Sequence, residues 1–477
     1  MTIPKKIKDI VKKLEKNKFQ AFLVGGCVRD LLMGVEPKDW DVATNATPEQ
    51  IAEVFPNNFS NNDFGTVTVE GDVEITPFRT ETKYTDKRHP DAVYWAKTIE
   101  EDISRRDFTI NAIAIGIKGQ KLEIKDLYEG QKDLDKKIVK AVGKAEDRFA
   151  EDALRMMRAV RFATTLDFAI EKKTAEAIKK NSSLMKVISQ ERIRDEFIKI
   201  IMADKAYEGI EMLRKLNLLG YVVPELLDGY QVAQAKHHTF DVYEHSVLSL
   251  KYASEKKFNR EVRIASLLHD IGKPKSKRGT GENATFYGHE VVGAKLTEKI
   301  LGRLRFSKKE IEKITKLVRY HLFYYNVDEV TEASVRRLVR KVGPESIEDL
   351  LQVRMADRIG SGVPKAEPYK LRHMKYIIDK TSKDPISVKM LKIDGEKIMK
   401  ILGVKPGPKV GWTLDILLEI VLNRPEDNTK KFLEDKVKEL SHLSDKELSS
   451  LSKRSQKERD QVIMKEDKMT KDKYWVT

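Results

Sequence analysis

Two aspartates stand two residues apart in the segment PKDWDVAT, Asp39 and Asp41. If Trp40 and Val42 turn into a core on an extended segment, both carboxylates project together from the opposite face. Convergent carboxylates form a hard-cation site suited to Mg²⁺, which also keeps waters and substrate phosphates as ligands. Glu74, just after Gly71-Asp72, is the natural third acid, and exposed strand decoration is the competing account of it. Two metal ions held this way activate an attacking hydroxyl and stabilise a leaving pyrophosphate in an in-line displacement at phosphorus. The second group with chemistry is the adjacent pair His269-Asp270, which follows the apolar run ASLL. Two neighbouring ionisable side chains on an apolar helix are costly to bury unless a metal or another partner satisfies them.

Several elements must position these side chains. Ile7, Ile10, Val11 and Leu14 carry helical spacing, AFLV (21–24) reads as a short strand, and Gly25-Gly26 closes a tight turn into a helix. Backbone N–H groups at such a helix start can bind phosphate oxygens. Standing alone, the glycine pair is as well explained by packing the strand on the helix. GTVTVEGDVEI (65–75) predicts two strands around a two-residue hairpin loop at Gly71-Asp72. From Ala145 onward, runs such as RFAEDALRMMRAVRFATTL and ERIRDEFIKIIMA repeat apolar residues three and four apart, so the remainder is helical. The fold class is therefore α+β, a small mixed-sheet head followed by an all-helical neck and body and a further all-helical domain. Breaker residues divide the chain into 1–142, 143–228, 229–362, 363–440 and 441–477. The last stretch is rich in Ser, Lys, Glu and Asp, which suits a mobile tail or a solvated helix.

A chain of 477 residues holds about three domains. Its 90 Lys and Arg against 75 Asp and Glu leave a formal charge of +15, which suits a polyanionic partner, nucleic acid first of all. With 35% charged residues of both signs interspersed, much of this charge is solvated surface. One cysteine, Cys27, excludes an intramolecular disulfide framework and a Cys-rich zinc module. No apolar run reaches membrane-spanning length, and the Lys-interrupted first residues do not form a signal peptide, so the expectation is a soluble cytoplasmic protein with no membrane partner.

GGCVRD, DWD, VEITPFR, YTDKRHPD, ISRRDFTINAIA and EDALRMMRAVRF occur in that order. The series resembles the class II tRNA nucleotidyltransferases, the CCA-adding enzymes of the polymerase-β-like superfamily, over residues 20 to about 200, with family-like segments to about 430. The resemblance implies that Asp39 and Asp41 bind Mg²⁺ and that Gly25, Gly26, Arg29 and Asp30 line a triphosphate pocket. It implies that Arg105, Arg106, Asp107 and Asn111 hold the nucleotide, a planar Arg fork suiting phosphate and Asp and Asn suiting sugar hydroxyls. In EDALRMMRAVRF it implies that Asp152 and Arg155 read the incoming base, with Arg158 completing the nucleotide site. Three apart, Asp152 and Arg155 would share one helix face. Cytosine and adenine both offer an exocyclic amino donor to Asp152, whereas uracil and guanine present a carbonyl there. TETKYTDKRH occupies the family's flexible-loop position, whose presence implies addition of the terminal A. Glu191, Arg192 and Arg194 match a bracing motif and read as structural.

Downstream, HHTFDVYEHS, LLHDIGKPKSK, FYGHE, RYH and VRMADR resemble the HD phosphohydrolases. That resemblance implies that His245, His269, Asp270 and Asp357 ligate a divalent transition metal, with His289 and His321 able to complete a second site and Lys273 meeting a phosphate oxygen. Imidazole and carboxylate suit Mn²⁺, Fe²⁺, Co²⁺, Ni²⁺ or Zn²⁺ alike. The associated activities are phosphatase and 2′,3′-cyclic phosphodiesterase. His237, His238, His373 and His442 read as packed or solvated side chains.

The function read from the sequence is template-independent addition of CCA to the tRNA acceptor end from CTP and ATP, with pyrophosphate released. The rivals are an A-adding enzyme, a poly(A) polymerase, and an HD phosphohydrolase with an RNA-binding amino-terminal half. The resemblance extends to a homodimer.

Overall fold

The computed structural model describes residues 2–56, 58–60, 65–70, 73–81, 93–119, 121–234, 239–279, 283–327, 329–382 and 388–476. The chain folds as two compact units, one of residues 1–322 with 348–366 and the other of residues 323–347 with 367–477.

The first unit opens on helix Lys5–Lys16, which buries Ile7, Ile10, Val11 and Leu14 on one stripe. The strands are β1 (Ala21–Val24), β2 (Trp40–Thr44), β3 (Asn58–Ser60), β4 (Val67–Val69), β5 (Val73–Pro77), β6 (Arg79–Glu81), β7 (Val93–Trp95), β8 (Ile113–Lys118) and β9 (Lys121–Asp126). Seven of them form one sheet in the order β3-β4-β5-β2-β1-β8-β9, and β6 pairs with β7 separately. Within the large sheet β2 and β5 run parallel while the other neighbours are antiparallel. The apolar run at the start of β8 is buried throughout, as an interior strand covered on both faces requires. Beneath β1, β2 and β8, Val24, Ala43, Phe78, Ile99, Ile103 and Ala114 form one core cluster.

The β4–β5 connection departs from the expected two-residue loop. Val69 pairs with Val73, so three residues separate the strands. A two-residue loop would place Glu70 opposite Val73 and drive it toward the face where Val67, Val69, Val73 and Ile75 are buried. Residues 71 and 72 themselves lie outside the described residues. Beyond residue 145, β11 (Ala169–Ile170) pairs in parallel with β10 (Ile138–Val139), and helices account for the rest of the regular structure described.

The second unit is helical, with Leu391, Ile398, Leu417, Leu418, Leu433 and Val437 in its core. The charged terminal stretch is a 30-residue helix, Asp445–Tyr474, started by a capping box between Ser444 and Glu447. It packs through small polar side chains: Ser452 donates to Asp415 at 3.0 Å and Ser455 to Glu419 at 2.6 Å, both carboxylates on helix Pro408–Asn423. Composition alone points to a mobile or solvated segment because this face buries Leu448 beside small polar side chains, Ser452, Ser455 and Thr470. No described helix is long and apolar enough to cross a membrane.

Candidate active site and candidate metal centre

Asp41 lies on β2 directly opposite Glu74 of β5, and Asp39 sits exposed on the bend that enters β2. Val42 is fully buried as expected, but Trp40 is only half-buried and does not enter the core. Burial, then the Glu74 charge, raises the Asp41 carboxyl to about 6; Arg106 opposes the rise and Asp39 adds to it. A partly buried carboxylate with Glu74 opposite it and Asp39 beside it gains a counter-charge from a divalent cation, and the donor set fits one. Gly25 has a φ of +74°, and a Cβ there would stand 3.2 Å from Arg106 Nη1 and 3.4 Å from Asp41 Oδ2. Only glycine combines that backbone with that proximity. Gly26 begins helix Gly26–Leu32, from which Arg29 donates to Asp30 at 2.7 and 2.9 Å and to Asn111 Oδ1 at 3.1 Å.

Sequence reasoning passes over Asp102. Its side chain is 2% exposed and serves two guanidinium groups, Oδ1 accepting from Arg105 at 2.6 Å and Oδ2 from Arg106 at 2.9 Å. Burial works against its charge, yet Arg106 and Arg105 outweigh it and hold the carboxyl below its usual range. Its spacing, three and four residues before the two arginines, is the one signal of this role that the sequence carries. Asp107 accepts from Arg158 at 2.6 and 2.8 Å and from Asn111 Nδ2 at 3.3 Å. Against the cost of burial, Arg158 and Arg155 lower its carboxyl to about 2.

The expectation that Asp152 and Arg155 share a helix face is corrected. Helix Ala145–Glu151 ends before Asp152, whose backbone is extended (φ −138°, ψ 104°), and the next helix is Leu154–Leu166. Asp152 Oδ1 accepts the Leu154 N–H at 3.1 Å, so the aspartate itself punctuates the helical pattern. Its Oδ2 accepts from Arg192 at 2.6 Å. Arg155 turns instead to Glu151 and to the carbonyls of Arg105 and Arg148. Arg192 is therefore a direct partner of Asp152, whereas Glu191 and Arg194 of the same motif reach Arg305. Most of the expected flexible loop, residues 82–92, and His237 and His238 lie outside the described residues.

The second constellation also assembles. His245, His269, Asp270, His289, His321 and Asp357 come from five different helical segments and all are buried. Gly272 makes this meeting sterically possible, since a Cβ there would lie 2.2 Å from the His289 carbonyl oxygen and 2.5 Å from Gly293 N. Asp270 divides the set: Oδ2 is 3.1 Å from His245 Nε2 and 3.3 Å from His269 Nε2, while Oδ1 is 3.3 Å from His289 Nε2 and 3.7 Å from His321 Nε2. Asp357 Oδ1 lies 3.4 Å from His245 Nε2. The Nδ1 atoms of His269, His289 and His321 donate to the carbonyls of Ser266, Phe286 and Val318 at 2.7–2.8 Å, which turns each Nε2 inward, where it could hold a metal.

The donor set fits divalent metal. His245 Nε2 and His269 Nε2 stand 2.9 Å apart, and two lone pairs cannot face each other at that distance without a proton or cation between them. Although burial disfavours its charge, Asp270 and Asp357 raise His269 to about 10, whereas burial and the His269 charge push His321 down to about 3. A metal ion would replace that proton. A cavity of about 780 Å³ opens onto Asp270, His289 and His321, and is edged by Lys273, Arg354 and Arg358. Lys273 Nζ is 2.6 Å from Asp270 Oδ2, and Arg354 donates to Asp357 Oδ2 at 2.6 Å.

Residues 21–140 match the poly A polymerase head domain, 167–229 the probable RNA and SrmB-binding site of polymerase A, and 237–361 the HD domain. The chain is 35% identical to the CCA-adding enzyme of Ligilactobacillus salivarius over 91% of its own length and 98% of that protein. It is 33% identical to the A-adding tRNA nucleotidyltransferase of Deinococcus radiodurans, covering 84% of this chain and 91% of that one. Among solved structures, the Bacillus stearothermophilus CCA-adding enzyme in complex with CTP superposes with a TM-score of 0.60 at 27% identity, over 92% of this chain and 98% of that one.

Proposed function

The chain belongs to the class II tRNA nucleotidyltransferases, the family of the CCA-adding enzymes, and on that premise we propose that it completes tRNA 3′ ends with CCA from CTP and ATP, releasing pyrophosphate. The observation that carries the reading is the register of Asp41 with Glu74, beside Asp39 and Arg106. Asp39 and Asp41 are the ligands for Mg²⁺, which when bound lowers the pKa of the tRNA 3′-hydroxyl and neutralises the departing pyrophosphate. Arg105 and Arg106, oriented by Asp102, present charge to the triphosphate, and Arg29 joins them from the helix that begins at Gly26. Asp107, locked to Arg158, and Asn111 bind the sugar. Asp152 accepts the exocyclic amino group of cytosine or adenine, and Arg155 addresses the ring acceptors once its guanidinium turns from Glu151.

The test uses tRNA transcripts ending before CCA, after C and after CC, incubated with Mg²⁺ and CTP, ATP or both. Stepwise growth that stops at CCA is the expected product. Extension of only the CC-ended tRNA by one A would make the chain an A-adding enzyme, the second reading that the Deinococcus relative favours. Long A tails would make it a poly(A) polymerase.

The buried histidine and aspartate cluster is, in this proposal, a divalent-metal phosphohydrolase centre for phosphate esters at RNA ends. Its support is the pairing of a fitting ligand set with a cavity edged by Lys273, Arg354 and Arg358.

A further inference from the structure

The cavity of about 780 Å³ at the histidine and aspartate cluster is large enough for a nucleotide, and its lining divides by chemistry. Lys273 meets Asp270 Oδ2 and Arg354 meets Asp357 Oδ2, so these cations stand at the half of the cluster formed with His245 and His269. The other half, His289 and His321 around Asp270 Oδ1, borders a different kind of surface. Tyr287 lies two residues before His289, Leu322 directly follows His321, and both line the cavity. Tyr287 is 83% exposed, and Leu322 is exposed beside it in the same lining.

Among the described residues the Tyr287 side chain makes no hydrogen bond, ring contact or cation contact. Its neighbour Phe286 differs, with Lys273 Nζ 5.8 Å from its ring centroid. The turn that carries Tyr287 is nevertheless fixed. The Phe286 carbonyl accepts the His289 N–H at 3.2 Å and His289 Nδ1 at 2.7 Å, and Gly288 supplies the φ of +73° that closes the turn onto helix His289–Arg303. A ring on a fixed turn loses little freedom when a ligand lies on it. A single exposed ring on a protein surface needs no special account, but this one borders a cluster whose phosphate-binding needs are met by Lys273, Arg354 and Arg358. Tyr287 and Leu322 add nothing for an anion, and they suit a flat group with an apolar face joined to one. Two residues of chain span at most about 7 Å, the length scale on which a ribose separates a base from its phosphate.

We propose that Tyr287 is a base platform for this centre: the nucleoside base of a phosphate ester stacks on its ring, with Leu322 against the base edge, while the phosphate sits at the metal-binding cluster before Lys273, Arg354 and Arg358. The inference rests on the phosphohydrolase reading of the centre and narrows its substrates to nucleotides. Little preference among bases follows, because every base offers a π face. Tyr287 selects the substrate and takes no part in the chemistry.

The experiment compares wild type, Tyr287→Ala and Tyr287→Phe, each loaded with Mn²⁺, on adenosine 3′-monophosphate, cytidine 3′-monophosphate and the base-free ester glycerol 2-phosphate. Tyr287→Ala is expected to raise KM for both nucleotides about tenfold, the scale of one lost base–aromatic stack. Its kcat on the nucleotides and its kcat/KM on glycerol 2-phosphate stay close to wild type, and Tyr287→Phe, which keeps the ring, restores KM. A second measurement needs no turnover: equilibrium dialysis of adenosine 3′-monophosphate against the metal-stripped proteins should find wild type and Tyr287→Phe alike and Tyr287→Ala weaker. An unchanged KM for both nucleotides in Tyr287→Ala overturns the proposal. Equal losses toward the nucleotides and glycerol 2-phosphate also overturn it, because Tyr287 would then support the metal cluster and not the base. If Mn²⁺-loaded wild type hydrolyses none of the three esters, the phosphohydrolase reading fails by itself and dialysis alone judges Tyr287, equal binding by wild type and Tyr287→Ala overturning its role.

Discussion

Asp41 and Glu74 face one another in register across β2 and β5, the parallel pair within an otherwise antiparallel seven-stranded sheet. Direct pairing puts both carboxylates on one face, and burial together with the Glu74 charge lifts Asp41 to about 6. A cation binds the deprotonated carboxylate, so affinity for Mg²⁺ or its probe Mn²⁺ is full well above pH 6 and falls as pH drops through that value. Glu74→Gln removes a repelling charge, which lowers the Asp41 pKa and moves this acid limb to lower pH, while weakening the metal at pH 8 by removing an acid. Mn²⁺ titrations between pH 5 and 8 on both proteins check it. An acid limb that does not move in the variant would separate Glu74 from the site.

Asp102 holds Arg105 and Arg106 on separate oxygens in a buried setting. Asp102→Asn removes the charge both arginines need and leaves two guanidinium groups close together. We expect KM for CTP and ATP to rise tenfold or more with KM for tRNA unchanged, because only the triphosphate pocket loses its geometry. Breaking a buried ion pair on one side costs about 3 kcal/mol, which urea unfolding would register. Asp102→Glu, keeping the charge, should recover part of the nucleotide affinity. Equal losses toward nucleotide and tRNA would indicate a general packing role.

How much of the fold and the two clusters is legible in the sequence depends on the kind of signal. The Asp39-Asp41 spacing and the His269-Asp270 adjacency are unusual pairings of chemically expensive residues, so they stand out in the bare sequence. Asp102 does not, because its helix reads IEEDIS and an acid among acids looks solvated. Asp152 escapes for a different reason. No glycine or proline interrupts EDALRMM, and the break comes from the Asp152 side chain capturing the Leu154 N–H, a contact that apolar periodicity does not register. The same limit hides the packing of helix Asp445–Tyr474, which buries Ser452, Ser455 and Thr470 beside Leu448.

Arg192 donates to Asp152 Oδ2 at 2.6 Å, fixing the carboxylate that we propose meets the base. With Arg192→Ala the carboxylate can turn, so discrimination should suffer more than overall rate. The expected result is a fall in kcat/KM for CTP and ATP of about tenfold, with UTP and GTP incorporation rising relative to both. Single-nucleotide extension with each of the four triphosphates measures it. Unaltered selectivity with a uniform loss of rate would leave Arg192 as a strut alone. Arg192→Lys retains the charge and should restore part of the selectivity.

Asp270 directs Oδ2 toward His245 and His269 and Oδ1 toward His289 and His321, so the two groups would each hold a divalent ion with Asp270 serving both. Equilibrium dialysis against Mn²⁺ followed by elemental analysis should then find two strongly held ions per chain in this centre. His289→Ala with His321→Ala is expected to remove one of them, and His269→Ala with Asp270→Ala both. A head variant lacking Asp39 and Asp41 provides the background, so that head metal is not counted. CCA addition by the His269→Ala/Asp270→Ala protein should stay within about twofold of wild type, because none of these ligands approaches the acids of the sheet in sequence or element. A single ion in wild type that survives loss of His289 and His321 would show a mononuclear centre, with those two histidines facing the cavity as substrate-binding or proton-transferring groups.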